Sequence, residues 1–299
     1  MRYTSAEDYL HRVVAFIETG LAADETALVF APRPNLDLLR DVLNGSGEHV
    51  TLLDAADIAR NPARNPARII PAARQFVAAQ GTRRIRVVGE PIWAGRSDAS
   101  VREAVRHEAL VNVLFADIAA DVLCPYDGAG LEAAVIADAC RTHPYLLEHG
   151  TLQPSPDFAD PLSVLSATDE LPEPPSHAET LIFGHADLST VRDFVTDRAN
   201  GISADRMQDL VLAVNEAASN TIDHTDGPGL LRTWRDDDTV IFEVSDRGRI
   251  PSVRRAGRVA PTPHEPRGRG LWIINQLCDL VELRSNSTGT VLRIHVTVQ

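Results

Sequence analysis

Glu216 and Asn220 are the first side chains in this sequence whose types and spacing suit a chemical role. They stand four positions apart in a helix predicted over residues 204–224, so they share one face of that helix. A neighbouring carboxylate and carboxamide can hold a water molecule or a Mg²⁺ ion, because Mg²⁺ prefers hard oxygen ligands. An ordinary solvated helix face is the alternative, and this pair alone does not decide between the two.

Asp246 and Gly248 form a second candidate, directly after a strand predicted over 239–245. A carboxylate at a strand end can accept a hydrogen bond from an exocyclic amine such as that of adenine. Gly248 has no Cβ and therefore lets a ligand approach the backbone closely. An Asp-x-Gly β-turn explains the same residues without any ligand.

Gly268, Arg269, Gly270 and Leu271 form a third candidate, at the start of a helix predicted over 270–279. Glycines before a helix expose backbone N–H groups and the positive end of the helix dipole, which suits phosphate. The arginine-rich segment before them is either a flap over phosphates or a solvated loop. A Gly-Thr pair ending at Thr290 follows. Together, in this order, the four features predict an adenine-nucleotide site.

The elements that position these residues predict an α/β sandwich with helices on one face of a sheet. In the last predicted strand, Leu292 and Ile294 face one way while Arg293 and His295 face the other. This alternation is typical of a half-buried antiparallel strand. The other predicted elements are helices over 189–198 and 204–224 and strands over 180–184, 230–234, 239–245, 281–285 and 291–298.

The first half of the chain shows a different pattern, in which short apolar runs alternate with helical segments. Alternation of this kind predicts a mostly parallel sheet covered by helices. The predicted strands are 26–31, 50–53, 84–89 and 120–124, and the predicted helices are 7–19, 35–43, 67–80, 100–117 and 128–142. Six prolines within residues 153–176 predict an extended linker, with a domain boundary near residue 176.

Charge and composition exclude several classes of protein. The net charge of −13 over 299 residues argues against direct nucleic-acid binding, which needs basic surface. No apolar run approaches the roughly 18–20 residues that span a bilayer, and the polar, acidic start is unlike a signal peptide. We therefore expect a cytoplasmic protein with no membrane contact. Its cysteines form no CxxC pair or ligand cluster in the sequence, and we expect them to be reduced and buried: Cys124, Cys140 and Cys278.

Residues 178–299 resemble the GHKL superfamily of ATP-binding domains, and among them the anti-sigma-factor serine kinases. The run Asn215–Asn220 is similar to their N box, and Asp246-x-Gly248, Gly268–Leu271 and Gly289-Thr290 are similar to their three glycine boxes. One departure is Ile250, where the first box usually has a second glycine. A branched side chain restricts the backbone there, so the fit of adenine or the movement of the flap differs from the family pattern.

The resemblance implies a Bergerat-type α/β sandwich, ATP or ADP and Mg²⁺ as cofactors, and a role for each matching residue. Glu216 is implied as the general base and Asn220 as the Mg²⁺ ligand. Asp246 is implied as the partner of the adenine amine, with Thr290 near that contact. Gly268, Arg269 and Gly270 are implied as the phosphate cradle, and Gly248 and Leu271 as further cofactor-binding residues.

Residues 1–155 resemble the MEDS sensory domain, a RecA-like domain without a working Walker motif. The similarity rests on the runs Gly89-Glu90-Pro91-x-Trp93, Arg106-His107-Glu108, Cys124-Pro-Tyr126-Asp127 and Thr142-His143-Pro144. It implies signal sensing, with the signal unknown. Since open parallel sheets bind ligands at strand carboxyl ends, we expect a sensory pocket lined by four residues, although purely structural contacts are the alternative: Glu90, Trp93, His107 and Tyr126.

The predicted organisation is a sensory domain over 1–155, a linker over 156–177 and an ATP-binding domain over 178–299. The leading functional hypothesis is a regulator that sequesters a sigma factor, or phosphorylates a serine or threonine of a STAS anti-anti-sigma partner. One alternative is a nucleotide-switched binding module that transfers no phosphate. Another is an atypical histidine kinase that uses His107. The oligomeric state stays open, with a homodimer as one possibility.

Overall fold

The structure is a computed structural model of the chain that divides into two compact units, Met1–Leu165 and Ser166–Gln299. No described helix is long and apolar enough to cross a membrane. The structure describes residues 1–43, 49–58, 61–64, 71, 73–75, 78, 84–148, 150–166, 171–250, 257–258 and 269–298.

The first unit is built on a parallel sheet with the strand order β3-β2-β4-β5. All six residues of β2 are buried, as expected for a strand covered on both faces. This architecture confirms the predicted parallel sheet. The strands of the sheet are β2 Thr26–Ala31, β3 Val50–Asp54, β4 Ile85–Gly89 and β5 Ala120–Leu123.

The helices of this unit follow the apolar periodicity of the sequence. In α1, Tyr9, Val13 and Ile17 recur at fourth positions and lie in the core. The predicted helix over 67–80 lies largely outside the described residues. The described helices are α1 Ala6–Ala22, α2 Arg33–Val42, α3 Ala55–Ile58, α4 Asp98–Leu114, α5 Ala133–Thr142 and α6 Pro161–Ser166, with a 3₁₀ turn at Pro62–Arg64.

Two small strand pairs complete the unit, and neither was predicted. β1 (Arg2–Tyr3) pairs in parallel with β6 (Tyr126–Asp127). β7 (Tyr145–Glu148) forms an antiparallel hairpin with β8 (Thr151–Pro154). Strands this short are difficult to recognise from periodicity, because two to four residues do not establish an alternation.

Helix α6 lies within the segment that was predicted to be an extended linker. Pro161 begins the helix, a position where the missing proline N–H costs nothing. Val164 and Leu165 are buried against Ala109 and Leu110 of α4. The division between the compact units accordingly falls after Leu165, earlier than the predicted boundary near 176.

The second unit contains an antiparallel sheet with the strand order β12-β13-β11-β10-β9. Its three described helices pack on one face and share a core with that face, as predicted. The strands are β9 Glu179–Phe183, β10 Gly229–Asp236, β11 Thr239–Asp246, β12 Leu280–Ser285 and β13 Thr290–Thr297. The helices are α7 Leu188–Arg198, α8 Ala204–His224 and α9 Arg269–Leu277.

The opposite face of this sheet is less exposed than the alternation in β13 predicts. Arg293 is only 5% exposed and Glu243 only 2%. The Arg293 guanidinium donates to the Glu243 carboxylate and also to the carbonyl oxygen of Pro172. Burial of this face therefore rests on paired charges, which a hydrophobicity pattern alone does not reveal.

Candidate functional site

A cavity of about 400 Å³ lies between helices α8 and α9 and strands β11, β12 and β13. Its volume is in the range of small-molecule sites, roughly 300–1,000 Å³. Apolar walls and a few polar groups line it, which is the usual character of such sites. The lining residues are Ala217, Asn220, Thr221, His224, Thr225, Val244, Asp246, Gly248, Arg249, Ile250, Gly270, Leu271, Leu283, Thr290 and Leu292.

Asp246 is fixed at the end of β11, and both of its carboxylate oxygens accept hydrogen bonds. The Thr221 hydroxyl of α8 donates to Oδ2 at 2.7 Å, and the Gly248 N–H donates to Oδ1 at 2.7 Å. Each carboxylate oxygen keeps a further lone pair. The side chain is therefore held in one orientation and can still accept a hydrogen bond from a ligand.

A directed chain of hydrogen bonds holds the loop that follows Asp246. The Ile250 N–H donates to the Ser285 hydroxyl at 2.9 Å. The Ser285 and Thr290 hydroxyls lie 2.8 Å apart, and Thr290 donates to the Gly248 carbonyl at 2.9 Å. Since Thr290 uses its proton on Gly248, Ser285 is the donor to Thr290. The chain fastens residues 248–250 to strands β12 and β13.

Glu216 and Asn220 lie on one face of α8, beside the start of α9. A Cβ added to Gly270 would lie 3.0 Å from Glu216 Oε2 and 3.1 Å from Asn220 Nδ2. Both side chains therefore approach the backbone at the N-terminal end of α9, which carries free N–H groups and positive dipole charge. This end of the cavity suits a phosphate chain, and the oxygens of the pair suit Mg²⁺.

The structure brings most of the predicted nucleotide residues together. Glu216 reaches the group through its approach to Gly270, Arg269 begins α9 and is exposed, and Gly268 lies outside the described residues. The predicted residues that line the cavity directly are Asn220, Asp246, Gly248, Gly270, Leu271 and Thr290.

Thr221 and Ser285 contact residues of the candidate site and were not predicted from the sequence. Thr221 directly follows Asn220 and is buried where α8 meets β11. Ser285 is opposite Thr290 in the β12–β13 register. The predicted hairpin loop over 286–289 could have indicated this position. The two residues that flank such a loop, Ser285 and Thr290, face each other across the strands.

Ile250 occupies the place of the second glycine of the first box without backbone strain. It lines the cavity and packs on the core, and it is not among the described residues with positive φ. An isoleucine is therefore accommodated there, and it adds apolar surface to the cavity wall. The residues of the cavity are chemically compatible with a nucleotide, because a carboxylate lies at one end and a helix N-terminus at the other.

Comparison with known families agrees with this division of the chain. Residues 1–144 match the family model of MEDS, the methanogen/methylotroph DcmR sensory domain. Residues 184–296 match the model of the histidine kinase-like ATPase domain. The chain joins a MEDS domain to a histidine kinase-like ATPase domain. The predicted resemblance to these two families, in this order along the chain, is confirmed.

Two solved structures are among those that the chain is similar to. One contains the RsbU and RsbW domains of Rv1364c from Mycobacterium tuberculosis, at 17% identity over 40% of this chain and 32% of that chain, with a TM-score of 0.30. The other is the blue-light activated histidine kinase EL346 of Erythrobacter litoralis, at 18% identity over 38% of this chain and 41% of that chain, with a TM-score of 0.27. The matches thus span less than half of either solved chain. No curated protein matches the chain.

The four residues predicted for the sensory pocket of the MEDS domain have different surroundings in the described part of the chain. Tyr126 lines a small cavity of about 100 Å³, but Glu90, Trp93 and His107 are not among the residues that line it. His107 is buried within α4, and the Trp93 ring lies under the Arg96 guanidinium at 4.3 Å.

Glu90 is instead the centre of a buried polar cluster at the end of β4. It is 1% exposed, and its carboxylate accepts from the Tyr3 hydroxyl and from Asn35 Nδ2, each at 2.8 Å. Burial raises the pKa of Glu90 to about 7, against 4.5 for an ordinary glutamate, although these two hydrogen bonds act in the opposite direction. This carboxyl group therefore changes charge near neutral pH.

Proposed function

We propose that the ATPase domain binds ATP with Mg²⁺ and that the chain is a signal-responsive regulator acting on a partner protein. The observation that carries the proposal is the setting of Asp246, which is oriented by two hydrogen bonds at one end of an apolar cavity. Such a carboxylate recognises the exocyclic amine of adenine. Apolar walls, among them Val244, Leu283 and Leu292, pack against the base.

The opposite end of the cavity supports phosphate binding and transfer. Phosphates would lie at the start of α9, where Gly270 leaves room for close approach. Asn220 would hold Mg²⁺ through its amide oxygen, and bound Mg²⁺ supplies neutralisation of phosphate charge. Glu216 accepts the proton of the attacking hydroxyl as a general base. The half-buried position of Glu216 beside Gly270 supports this role.

The proposed partner is a STAS-type anti-anti-sigma protein, phosphorylated on serine or threonine, or a sigma factor held by the domain. The support for this partner class is the order of the N box and glycine boxes, which resembles the anti-sigma-factor serine kinases. The MEDS domain would supply the control of this activity.

Nucleotide binding is tested with the full chain by isothermal titration calorimetry, comparing wild type, Asp246→Asn and a control, Asp236→Asn. Asp236 is exposed at the end of β10. Loss of a charged hydrogen-bond acceptor is expected to weaken ATP binding by about tenfold or more in Asp246→Asn, with no change in the control. Equal affinities of wild type and Asp246→Asn would exclude the cavity as the adenine site.

The partner is tested by capture from native lysate with the tagged full chain, in ATP–Mg²⁺ and in ADP. We expect a STAS protein or a sigma factor to be recovered in amounts that depend on the nucleotide. Recovery of a response regulator instead would favour the histidine-kinase alternative. Phosphosite mapping on a STAS partner, with wild type and Glu216→Gln, then tests transfer. Labelling of the partner at the wild-type rate by Glu216→Gln would exclude Glu216 as the base.

A nucleotide-switched binding module without transfer is the second candidate, and Ile250 favours it. The backbone N–H of Ile250 is tied to Ser285, and its side chain packs on the core. The start of the loop is therefore anchored more firmly than a glycine would be. Phosphoserine or phosphothreonine on a captured partner after incubation with ATP would exclude this candidate.

The histidine-kinase alternative is disfavoured by the position of His107. A phosphoacceptor imidazole has to be reached by the γ-phosphate, but His107 is 3% exposed in the interior of α4. An acid-labile phosphate that disappears in His107→Ala would overturn this argument.

A further inference from the structure

Three side chains from separate elements of the MEDS domain converge on one point. Glu108 comes from α4, Cys124 directly follows β5, and His143 is the C-cap of α5. One carboxylate oxygen, the thiol sulfur and one ring nitrogen all lie within 4.8 Å of one another. Glu108 and Cys124 are buried and His143 is half-buried. The three residues, named here the Glu-Cys-His cluster, combine oxygen, sulfur and nitrogen donors.

The imidazole of His143 is oriented with its Nε2 lone pair toward the centre of the cluster. Its Nδ1 lies 2.9 Å from the Ala139 carbonyl oxygen, which can only accept a hydrogen bond, so Nδ1 carries the proton. In a neutral ring, Nε2 then has a lone pair, and it faces Glu108 Oε2 at 3.1 Å. Two acceptors at this distance need a proton or a cation between them.

The surrounding contacts resemble the outer shell of a metal site. The Tyr126 hydroxyl donates to Glu108 Oε2, and a backbone carbonyl holds the far nitrogen of His143. Metal-binding imidazoles and carboxylates are usually held by such partners. The Asn112 amide adds rigidity, because it donates to the carbonyl oxygens of Glu108 and Thr142 and so links α4 to the end of α5.

The thiol of Cys124 needs a cation in order to ionise. Burial, reinforced by the Glu108 carboxylate, raises the pKa of Cys124 well above that of an ordinary thiol. Cysteine binds metal as the thiolate, and a coordinated ion removes the thiol proton.

We propose that Glu108, Cys124 and His143 bind a divalent transition-metal ion, with Zn²⁺ the best match to one sulfur, one nitrogen and one oxygen donor. Ligands of a tetrahedral Zn²⁺ lie about 3.3–3.8 Å apart, and the observed 3.1 Å between His143 and Glu108 is close to this spacing. Formation of the sulfur–metal bond releases the Cys124 proton to solvent.

The fourth coordination position would be open to a water molecule or a small ligand. The cavity of about 100 Å³ is lined by Tyr126, His143 and Cys140, so it adjoins the cluster and has room for water. Structural zinc sites almost always have four protein ligands, so three protein ligands leave a position for water or an exogenous ligand. The metal would thus give the sensory domain a chemically selective binding site. This site does not depend on the nucleotide proposal, since metal binding is measured directly.

The test is a Co²⁺ titration of the full chain after removal of metals with a chelator. We expect one Co²⁺ per chain, a thiolate-to-cobalt charge-transfer absorption in the near ultraviolet, and loss of that absorption when one equivalent of Zn²⁺ is added. Absence of the charge-transfer absorption in the wild-type chain would overturn the proposal. This wild-type result decides the question even if a variant fails to fold.

Matched variants assign the ligands. Cys124→Ser is expected to lose the charge-transfer absorption, whereas Cys140→Ser, which changes a neighbouring cysteine outside the cluster, is expected to keep it. Glu108→Gln retains the shape of the side chain and is expected to lower Zn²⁺ affinity by at least about tenfold. Retention of the absorption in Cys124→Ser, or wild-type Zn²⁺ affinity in Glu108→Gln, would contradict the assignment.

Discussion

Replacement of Glu90 by glutamine is expected to remove a pH dependence from the stability of the MEDS domain. The pKa of Glu90 is raised by burial to about 7 in the folded chain, against 4.5 for an ordinary glutamate. Below pH 4.5 the group is protonated in both the folded and unfolded states and leaves stability unchanged. As the pH rises from 4.5 to 7, the unfolded state releases this proton while the folded state retains it, so the folded state progressively loses stability. Above pH 7 the group is ionised in both states and the loss is complete.

The loss of unfolding free energy follows from the difference between the folded and unfolded pKa values of Glu90. Each unit of pKa difference corresponds to about 1.4 kcal/mol, so wild type is expected to lose about 3 kcal/mol of unfolding free energy between pH 4.5 and 8. Glu90→Gln has no titrating group here. Its side-chain oxygen can still accept from Asn35, and its amide can donate to the Tyr3 hydroxyl. We therefore expect the variant to be the more stable chain at pH 8.

Urea unfolding of the full chain can be monitored by hydrogen exchange in peptides that contain β2 and β4. This readout measures the unfolding of the MEDS domain separately. Glu18→Gln is the control, because Glu18 lies exposed on α1. The unfolding free energies of wild type and Glu18→Gln are expected to fall by the same amount as the pH rises. That of Glu90→Gln is expected to change little by comparison. An equal pH dependence in wild type and Glu90→Gln would refute the reasoning.

Two further predictions concern the ATPase domain. Gly270→Ala is expected to weaken ATP binding about tenfold by calorimetry, because its Cβ would lie 3.0 Å from Glu216 Oε2, whereas Gly227→Ala, whose Cβ meets nothing within 4 Å, should bind as wild type. Arg293→Leu is expected to lower the unfolding free energy by about 3 kcal/mol, since it leaves the buried Glu243 carboxylate without this partner. A double variant with Glu243→Leu should recover most of that loss in urea unfolding, and equal losses in the single and double variants would show that charge burial is not the cause.

The parts of the structure that the sequence predicts well are those set by local pattern. The run over residues 27–31 is apolar at every position, and a short run of this kind is typical of a strand buried on both faces. The pattern formed by Asp246 and Gly248 is also local, because two residues so close in sequence define the end of a strand and the turn that follows it. Because the nucleotide motifs combine such local features, their convergence on one cavity could be anticipated.

The parts that the sequence does not predict depend on pairing between distant residues. Arg293 has a polar side chain in a solvent-like pattern, and its burial depends on Glu243, 50 positions away. Cys124 shows no ligand spacing, and its neighbours Glu108 and His143 arrive from two other helices. The expectation that all three cysteines are buried was wrong for Cys140, which is only half-buried.

The directed hydrogen-bond chain from Ile250 to Gly248 also determines which hydrogen-bonding groups the cavity presents beside Asp246. The hydroxyl proton of Thr290 is used on the Gly248 carbonyl, and that of Thr221 is used on Asp246. Beside Asp246, the cavity therefore presents lone pairs and no uncommitted hydroxyl proton from these threonines. If the cavity binds a nucleotide as proposed, a base that presents an amine at this position meets acceptors, whereas a base carbonyl oxygen placed here would face lone pairs. The direction of a few hydroxyl protons thus sets which edge of a bound base can face Asp246.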